Sequence, residues 1–125
     1  MKDNKTATII TIGDELLNGR RLNTNLNWLS KELLKLNIYT KKAISVGDNI
    51  KEIINELNRP PNIDYVFITG GLGPTIDDVT TEAIGGFLNS EEYFDEKYYL
   101  KLKEIFIKKS LKLTSSLKKQ AIKLR

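Results

Sequence analysis

A glycine-rich stretch, Ile68–Thr80, constrains this chain most, because it joins a buried-strand pattern directly to a helix start. Its three glycines allow positive φ angles and a close approach of the backbone to a ligand, so that N–H groups can converge on phosphate or carboxylate oxygens. Good capping residues follow, which predicts a helix from about Asp78 to Leu88 whose positive N-terminal end favours an anion. The stretch therefore predicts either an anion-binding loop or an ordinary glycine-rich turn.

Two common phosphate loops do not fit this stretch. A P-loop ends in Gly-Lys-Ser/Thr, yet no lysine occurs between Glu52 and Lys97, and the dinucleotide fingerprint needs a glycine where Ile76 stands. The loop thus has two adjacent carboxylates, Asp77 and Asp78, and no cation of its own. Such a loop suits a phosphate ligand only if a divalent metal ion bridges the negative charges.

The rest of the chain alternates strand and helix patterns, which predicts an α/β fold with right-handed crossovers and a parallel sheet covered on both faces. The predicted strands are Thr6–Ile12, Tyr39–Val46 and Asp64–Thr69, and the helices between them begin at Asn23 and at Ile50, the second ending at Arg59-Pro60-Pro61. After the helix that follows the glycine loop, a polar loop is predicted at 89–95. Helices are then predicted at about 96–109 and 117–125.

Acidic residues follow each of the first two predicted strands. Asp14 and Glu15 come directly after the first strand, and Asp48 follows the second. Open α/β sheets bind ligands beyond the carboxyl ends of their strands. These residues are therefore expected to meet the glycine loop at one edge of the sheet, although acidic residues after a strand are also common as helix caps.

The composition excludes several kinds of chemistry. The 125 residues include no cysteine and no histidine, so thiol nucleophiles, disulfides, zinc fingers and serine–histidine triads are ruled out. One globular domain spanning 1–125 is expected from the length. The first residues resemble neither a signal peptide nor a membrane span, which indicates a cytoplasmic protein without membrane contact.

The net charge of +4 is unevenly distributed. Residues 96–125 hold ten lysines and arginines against two acidic residues, so this C-terminal segment is strongly basic and the rest is acidic. A basic segment can contact nucleic acid or an acidic partner, but helical spacing places most of these lysines on an outer, solvated face. Nucleic acid is not the expected partner, because the segment lacks a recognisable nucleic-acid motif.

Four motifs occur in a recognisable order: the Gly-Asp-Glu-Leu-Leu turn, Asn23-Thr24-Asn25, Val46-Gly47-Asp48-Asn49 and the glycine loop. This order resembles the N-terminal domain of the competence/damage-inducible CinA family, within the molybdopterin-binding (MoaB/MogA-like) superfamily. The likeness runs from about Thr8 to Leu88 and continues more loosely through 116–121. It implies a three-layer α/β/α sandwich with a mostly parallel sheet, C-terminally truncated because the family's later loop and final strands are missing.

The resemblance also implies functional positions. The family's phosphate and pterin loop falls on Thr69, Gly70, Gly71, Gly73 and Thr75, and its first-turn and first-helix positions fall on Asp14, Glu15, Asn23 and Asn25. The family's loop aspartate falls on Asp78 and its second acidic position on Asp48, which are the expected catalytic pair. Asp78, Asp48 and Asp14 are the expected metal ligands. Leu72 departs from the threonine usual in molybdopterin adenylyltransferases, which favours the CinA-like branch.

Three functions are compatible with this resemblance. The first is hydrolysis of ADP-ribose-type pyrophosphates with a divalent metal ion, magnesium or else cobalt or manganese. The second is a molybdopterin adenylyltransferase-like role in molybdenum cofactor biosynthesis, with molybdopterin as the bound cofactor. The third is a non-catalytic binding module. The expected partners are a small nucleotide or pterin ligand and further copies of the chain.

Overall fold

A computed structural model describes residues 4–58 and 62–125. The predicted helix stop at Arg59-Pro60-Pro61 and residues 1–3 lie outside the described part. In chain order the elements are β1 Lys5–Ile12, α1 Asp14–Leu17, α2 Thr24–Lys35, β2 Ile38–Val46, α3 Ile50–Leu57, β3 Tyr65–Thr69, α4 Thr80–Leu88, β4 Glu92–Phe94, α5 Glu96–Lys108, a 3₁₀ helix Ser115–Ala121 and β5 Ile122–Leu124. The predicted α/β alternation is confirmed.

A three-stranded parallel sheet in the order β2–β1–β3 forms the centre of the fold. Successive side chains of β1 point to opposite faces, as strand geometry requires. Ala7 and Ile9 pack with Leu33 of α2, whereas Ile10 and Ile12 pack with Ile53 of α3 and with α4. Helices therefore cover both faces of the sheet, and the predicted three-layer α/β/α sandwich is confirmed.

β3 is less buried than its sequence suggests. Its apolar run predicts a covered strand, yet Tyr65 is 45% exposed and Val66 is 48% exposed. Within the described residues β3 pairs with β1 alone and forms the outer strand of the sheet. An outer strand has a neighbour on one side only, so apolar composition by itself does not decide its burial.

The C-terminal region differs from the prediction. The predicted polar loop at 89–95 contains β4, and the predicted helix at 117–125 is a 3₁₀ helix followed by β5, which pairs antiparallel with β4. Both predictions are wrong because strands of three residues are too short to show a period, and their pairing depends on residues about thirty positions apart. The prediction of α5 is confirmed.

The small β4–β5 ribbon packs on α4 at a glycine. A Cβ atom at Gly85 would lie 2.9 Å from the Leu124 side chain, closer than such atoms approach in real structures. A larger residue at Gly85 would make the Leu124 side chain shift, so the glycine, which costs about 1 kcal/mol relative to alanine within a helix, allows this close packing of β5 on α4. The β4–β5 ribbon and α4 thus pack closely against each other at Gly85.

Two lysines of the basic segment contact other parts of the chain. Lys123 forms an ion pair with Asp95 at 2.6 Å, and its ammonium lies 4.4 Å from the centre of the Tyr98 ring. Lys119 turns toward the glycine loop.

Among the described residues, none of the helices combines the length and apolar character needed to cross a lipid bilayer.

Candidate functional site

The carboxyl ends of β1 and β2 are joined by two aspartates. The Asp14 N–H donates to Oδ2 of Asp48 at 3.2 Å, and the Asp48 N–H donates to Oδ1 of Asp14 at 3.0 Å. A side chain at Gly47 would collide with the Asp14 carboxylate, so the glycine admits this pair. The structure therefore brings Asp14 and Asp48 together at the predicted edge of the sheet.

The Asp48 carboxylate stands in an acidic environment. Burial raises the pKa of Asp48, and the negative charges of Asp14, Glu15 and Asp77 raise it further, against the lowering effect of the Asp14 N–H. The pKa of Asp48 is thus influenced by carboxylates of the first turn and of the glycine loop.

The glycine loop is folded tightly against β1 and α4. Gly70 and Gly71 have φ angles of 89° and 66°, and side chains there would overlap the Ile12 carbonyl oxygen and the Thr80 hydroxyl. The buried Thr80 hydroxyl donates to the Gly70 carbonyl at 2.7 Å, and the Thr80 N–H donates to the Gly71 carbonyl at 3.1 Å. These glycines are therefore needed for the backbone path itself, whatever the loop binds.

Asp78 closes the loop instead of capping the helix. Helix α4 begins at Thr80, two residues later than predicted, and no side chain caps it. The Asp78 carboxylate turns back and accepts hydrogen bonds from the Thr75 N–H at 2.9 Å and the Thr75 hydroxyl at 2.7 Å. Asp78 therefore does not cap α4, because its carboxylate accepts hydrogen bonds from Thr75 within the turn over 75–78.

The Asp78 carboxylate is held in its charged form. Partial burial opposes ionisation, but the hydrogen bonds from Thr75 and from the Gly73 N–H, together with the positive charge of Lys119, hold the pKa of Asp78 below its usual value. Asp78 is therefore a negative charge fixed beside the glycines.

A cation that the sequence did not predict reaches the loop from the C-terminal segment. The Lys119 ammonium donates to the carbonyl oxygens of Thr75 and Asp78, the second at 2.6 Å. The conclusion that the loop has no cation is correct for the loop's own sequence but wrong for the folded site. The only signal in the sequence is that Lys119 lies within 116–121, where the family resemblance continues loosely.

Two cavities lie on either side of the glycine loop. The larger, of about 410 Å³, is lined by Gly71, Gly73, Asp78 and Lys119 together with Thr81 and residues of the β4–β5 ribbon. The smaller, of about 320 Å³, is lined by Thr69, Gly70, Glu15, Arg21, Asn23 and Asn25 together with Ile12, Leu16 and Leu22. The loop backbone therefore passes from one cavity to the other between Gly70 and Gly71.

The predicted site residues are divided between these places. Glu15, Asn23 and Asn25 belong to the smaller cavity, while Asp14 and Asp48 form their own pair at the strand ends. Asn23 also has a structural role, because it accepts from the Leu26 N–H to cap α2 and donates to the Thr11 hydroxyl at 2.8 Å. Arg21, which the sequence did not single out, adds a second cation.

The three predicted metal ligands do not form one group. Within 4–58 and 62–125, no cluster of three or more carboxylates is arranged to hold a metal ion. The Asp78 carboxylate faces Thr75, whereas Asp14 and Asp48 each accept the other's N–H. The described residues therefore do not fit a preformed three-carboxylate metal centre.

Comparisons with known proteins agree with this arrangement. The family model described as "Probable molybdopterin binding domain" matches residues 8–120. A CinA-like protein of Thermotoga neapolitana is 40% identical over 119 residues, covering 94% of this chain and 29% of that protein. The chain thus spans less than a third of that curated relative.

Solved structures give the same result. The crystal structure of CinA from Thermoplasma acidophilum, a protein described as having unknown function, superimposes with a TM-score of 0.80 at 31% identity, over 96% of this chain and 70% of that one. The molybdopterin biosynthesis enzyme MoaB from Thermus thermophilus shares the fold, with a TM-score of 0.65 at 20% identity over 96% of this chain and 77% of that one. The chain therefore belongs to the molybdopterin-binding domain family, in its CinA branch.

Proposed function

We propose that this molybdopterin-binding-type domain binds the diphosphate of an ADP-ribose-type nucleotide at the glycine loop and hydrolyses its pyrophosphate bond. The observation that carries the proposal is the position of the loop between two cavities. A ligand with a central diphosphate and a bulky group at each end matches a backbone that passes from one cavity to the other. Cavities of about 410 and 320 Å³ are large enough for nucleoside-sized groups.

Each cavity has one cation that can pair with an anionic ligand. Lys119 lines the larger cavity beside the carboxylates of Asp78, Glu82 and Glu92, and Arg21 lines the smaller beside Glu15. Ile12, Leu16 and Leu22 also line the smaller cavity and offer apolar contacts to a flat ring, and Asn23 and Asn25 offer amide groups for its polar edge. The smaller cavity can thus bind a ring next to a phosphate held by the glycine loop.

Hydrolysis in this proposal is attack of water on one phosphorus atom, with cleavage of the bridging P–O bond and release of AMP and a sugar phosphate. Positioning and stabilisation of negative charge supply most of the catalysis in phosphoryl transfer. The ionised Asp78 carboxylate holds the turn from Gly73 to Thr75 in shape for this purpose. The assay compares reactions with and without divalent metal ions, because the described carboxylates do not form a preformed metal centre.

The test is incubation with ADP-ribose, with product analysis by chromatography, in EDTA and in magnesium, manganese or cobalt. We expect AMP and ribose 5-phosphate from the parent and from Asp77→Asn, a neighbouring control. Asp78→Asn should lose turnover by at least about a hundredfold, because it removes the charge that the loop is built around. Equal turnover in the two variants would refute the role of Asp78.

A second candidate function is adenylyltransferase-like chemistry on molybdopterin. Membership of the molybdopterin-binding family favours it, and a pterin and a nucleotide would also occupy two cavities. Incubation with ATP and molybdopterin decides between the two, because the product is then adenylylated molybdopterin. Binding of both ligands without turnover would leave a non-catalytic binding module.

A further inference from the structure

We propose that Lys119 is the phosphate-binding cation of the glycine loop and that it makes diphosphate binding possible without a metal ion. The inference rests on the proposed function and adds to it the residue that neutralises the ligand's charge. It also joins the C-terminal segment to the site through one side chain.

The geometry of the Lys119 ammonium leaves a donor for a ligand. An ammonium has three N–H donors. Two are directed at the carbonyl oxygens of Thr75 and Asp78, and the side chain lines the cavity that Gly71 and Gly73 also line. The third donor is therefore available to an oxygen atom of an anion bound at those glycines.

The two contacts of Lys119 do not consume its charge. Both acceptors are neutral backbone carbonyls, so the hydrogen bonds fix the ammonium in place without neutralising it, and its positive charge acts on the Asp78 carboxylate as well as on a ligand bound beside it. Hydrogen bonds between an ammonium and a phosphate oxygen are among the stronger ones in proteins. A phosphate oxygen bound at Gly71 and Gly73 would thus gain a charged hydrogen bond from Lys119.

The backbone around Lys119 is anchored. Leu117 is 2% exposed and Ala121 is fully buried, so the 3₁₀ helix that carries Lys119 is fixed on both sides. The neighbouring Lys118 is exposed to solvent. Lys118 has the same chemistry in the same segment without the contact to the loop, and it therefore provides a matched control.

The experiment is calorimetric titration of the full chain with inorganic pyrophosphate and with ADP-ribose, in EDTA. Lys118→Met should bind both within about twofold of the parent, and Lys119→Met should bind at least about tenfold more weakly, as expected for loss of a charged hydrogen bond. Lys119→Arg, which keeps the charge, should recover part of the affinity. The loss should shrink as KCl is raised, because salt screens the charge.

Lys119→Gln guards against a purely structural explanation, because its amide can still donate to the carbonyls but has no charge. Circular dichroism should show it folded, and its affinity should fall as in Lys119→Met. If a folded Lys119→Gln or Lys119→Met binds both ligands as tightly as the parent, the role of Lys119 is overturned while the proposed function stands. If the parent and Lys118→Met bind neither ligand in EDTA, this inference is overturned, while the proposed function is decided separately by turnover of ADP-ribose with a divalent metal ion.

Discussion

Substitution of Thr80 tests whether its hydroxyl holds the glycine loop in place. Its side chain is 1% exposed, and its hydroxyl donates to the Gly70 carbonyl at 2.7 Å. Thr80→Val replaces this hydroxyl with a methyl group of nearly the same size. Loss of the bond leaves a carbonyl without its partner, and the larger methyl meets Gly71, where there is no spare room. Together these effects should lower the free energy of unfolding by about 1–2 kcal/mol.

Thr80→Ser is the matched variant. It keeps the hydroxyl and removes one buried methyl, so it should cost roughly 1 kcal/mol through packing alone. Urea unfolding followed by circular dichroism gives both values, and the Thr80→Val midpoint should fall by about 1 M.

Hydrogen exchange separates the loss of the hydroxyl hydrogen bond from the loss of packing, and it needs no ligand. The backbone amides of the loop from Gly71 to Gly73 should exchange faster in Thr80→Val, because one of the two hydrogen bonds between Thr80 and the loop is lost, and at the parental rate in Thr80→Ser. Equal exchange rates in the two variants, or a Thr80→Val protein as stable as the parent, would refute the view that this hydroxyl fixes the loop.

Four further predictions concern stability. Asn23→Ala should cost about 1–2 kcal/mol in urea unfolding, because the side chain both caps α2 and donates to Thr11. The fold lowers the pKa of Asp78 below its unfolded value near 3.8. The Asp78 charge therefore stabilises the protein above that pH, and this contribution disappears as the pH falls through the folded pKa. In Asp78→Asn the free energy of unfolding should therefore fall less steeply as the solution is acidified. The fold raises the pKa of Asp48, so ionisation of this carboxyl lowers the free energy of unfolding. Asp48→Asn should therefore increase stability at neutral pH but not below the unfolded pKa. Ile53→Ala, at a fully buried position, should cost about 2–5 kcal/mol by thermal or urea unfolding.

The sequence by itself determined the central sheet and the edge at which its turns meet. The period of β1, the leucines of α2 and the glycines at the end of β3 are local signals, since side-chain alternation and backbone freedom depend on neighbouring residues. Placing Asp14 and Asp48 at one edge followed from the rule that parallel strands end on the same side. The structure adds that their carboxylates bond to each other's backbone.

Only the tertiary structure decided what completes the site. Lys119 reaches Asp78 across 41 residues of sequence, and β5 pairs with β4 across a helix and a 3₁₀ turn. Gly85 has a reason only when Leu124 lies against it. Contacts of this kind depend on the path of the chain between the two residues, and no local period or capping preference encodes that path. A loop that lacks a cation in its sequence therefore gains one in the folded protein.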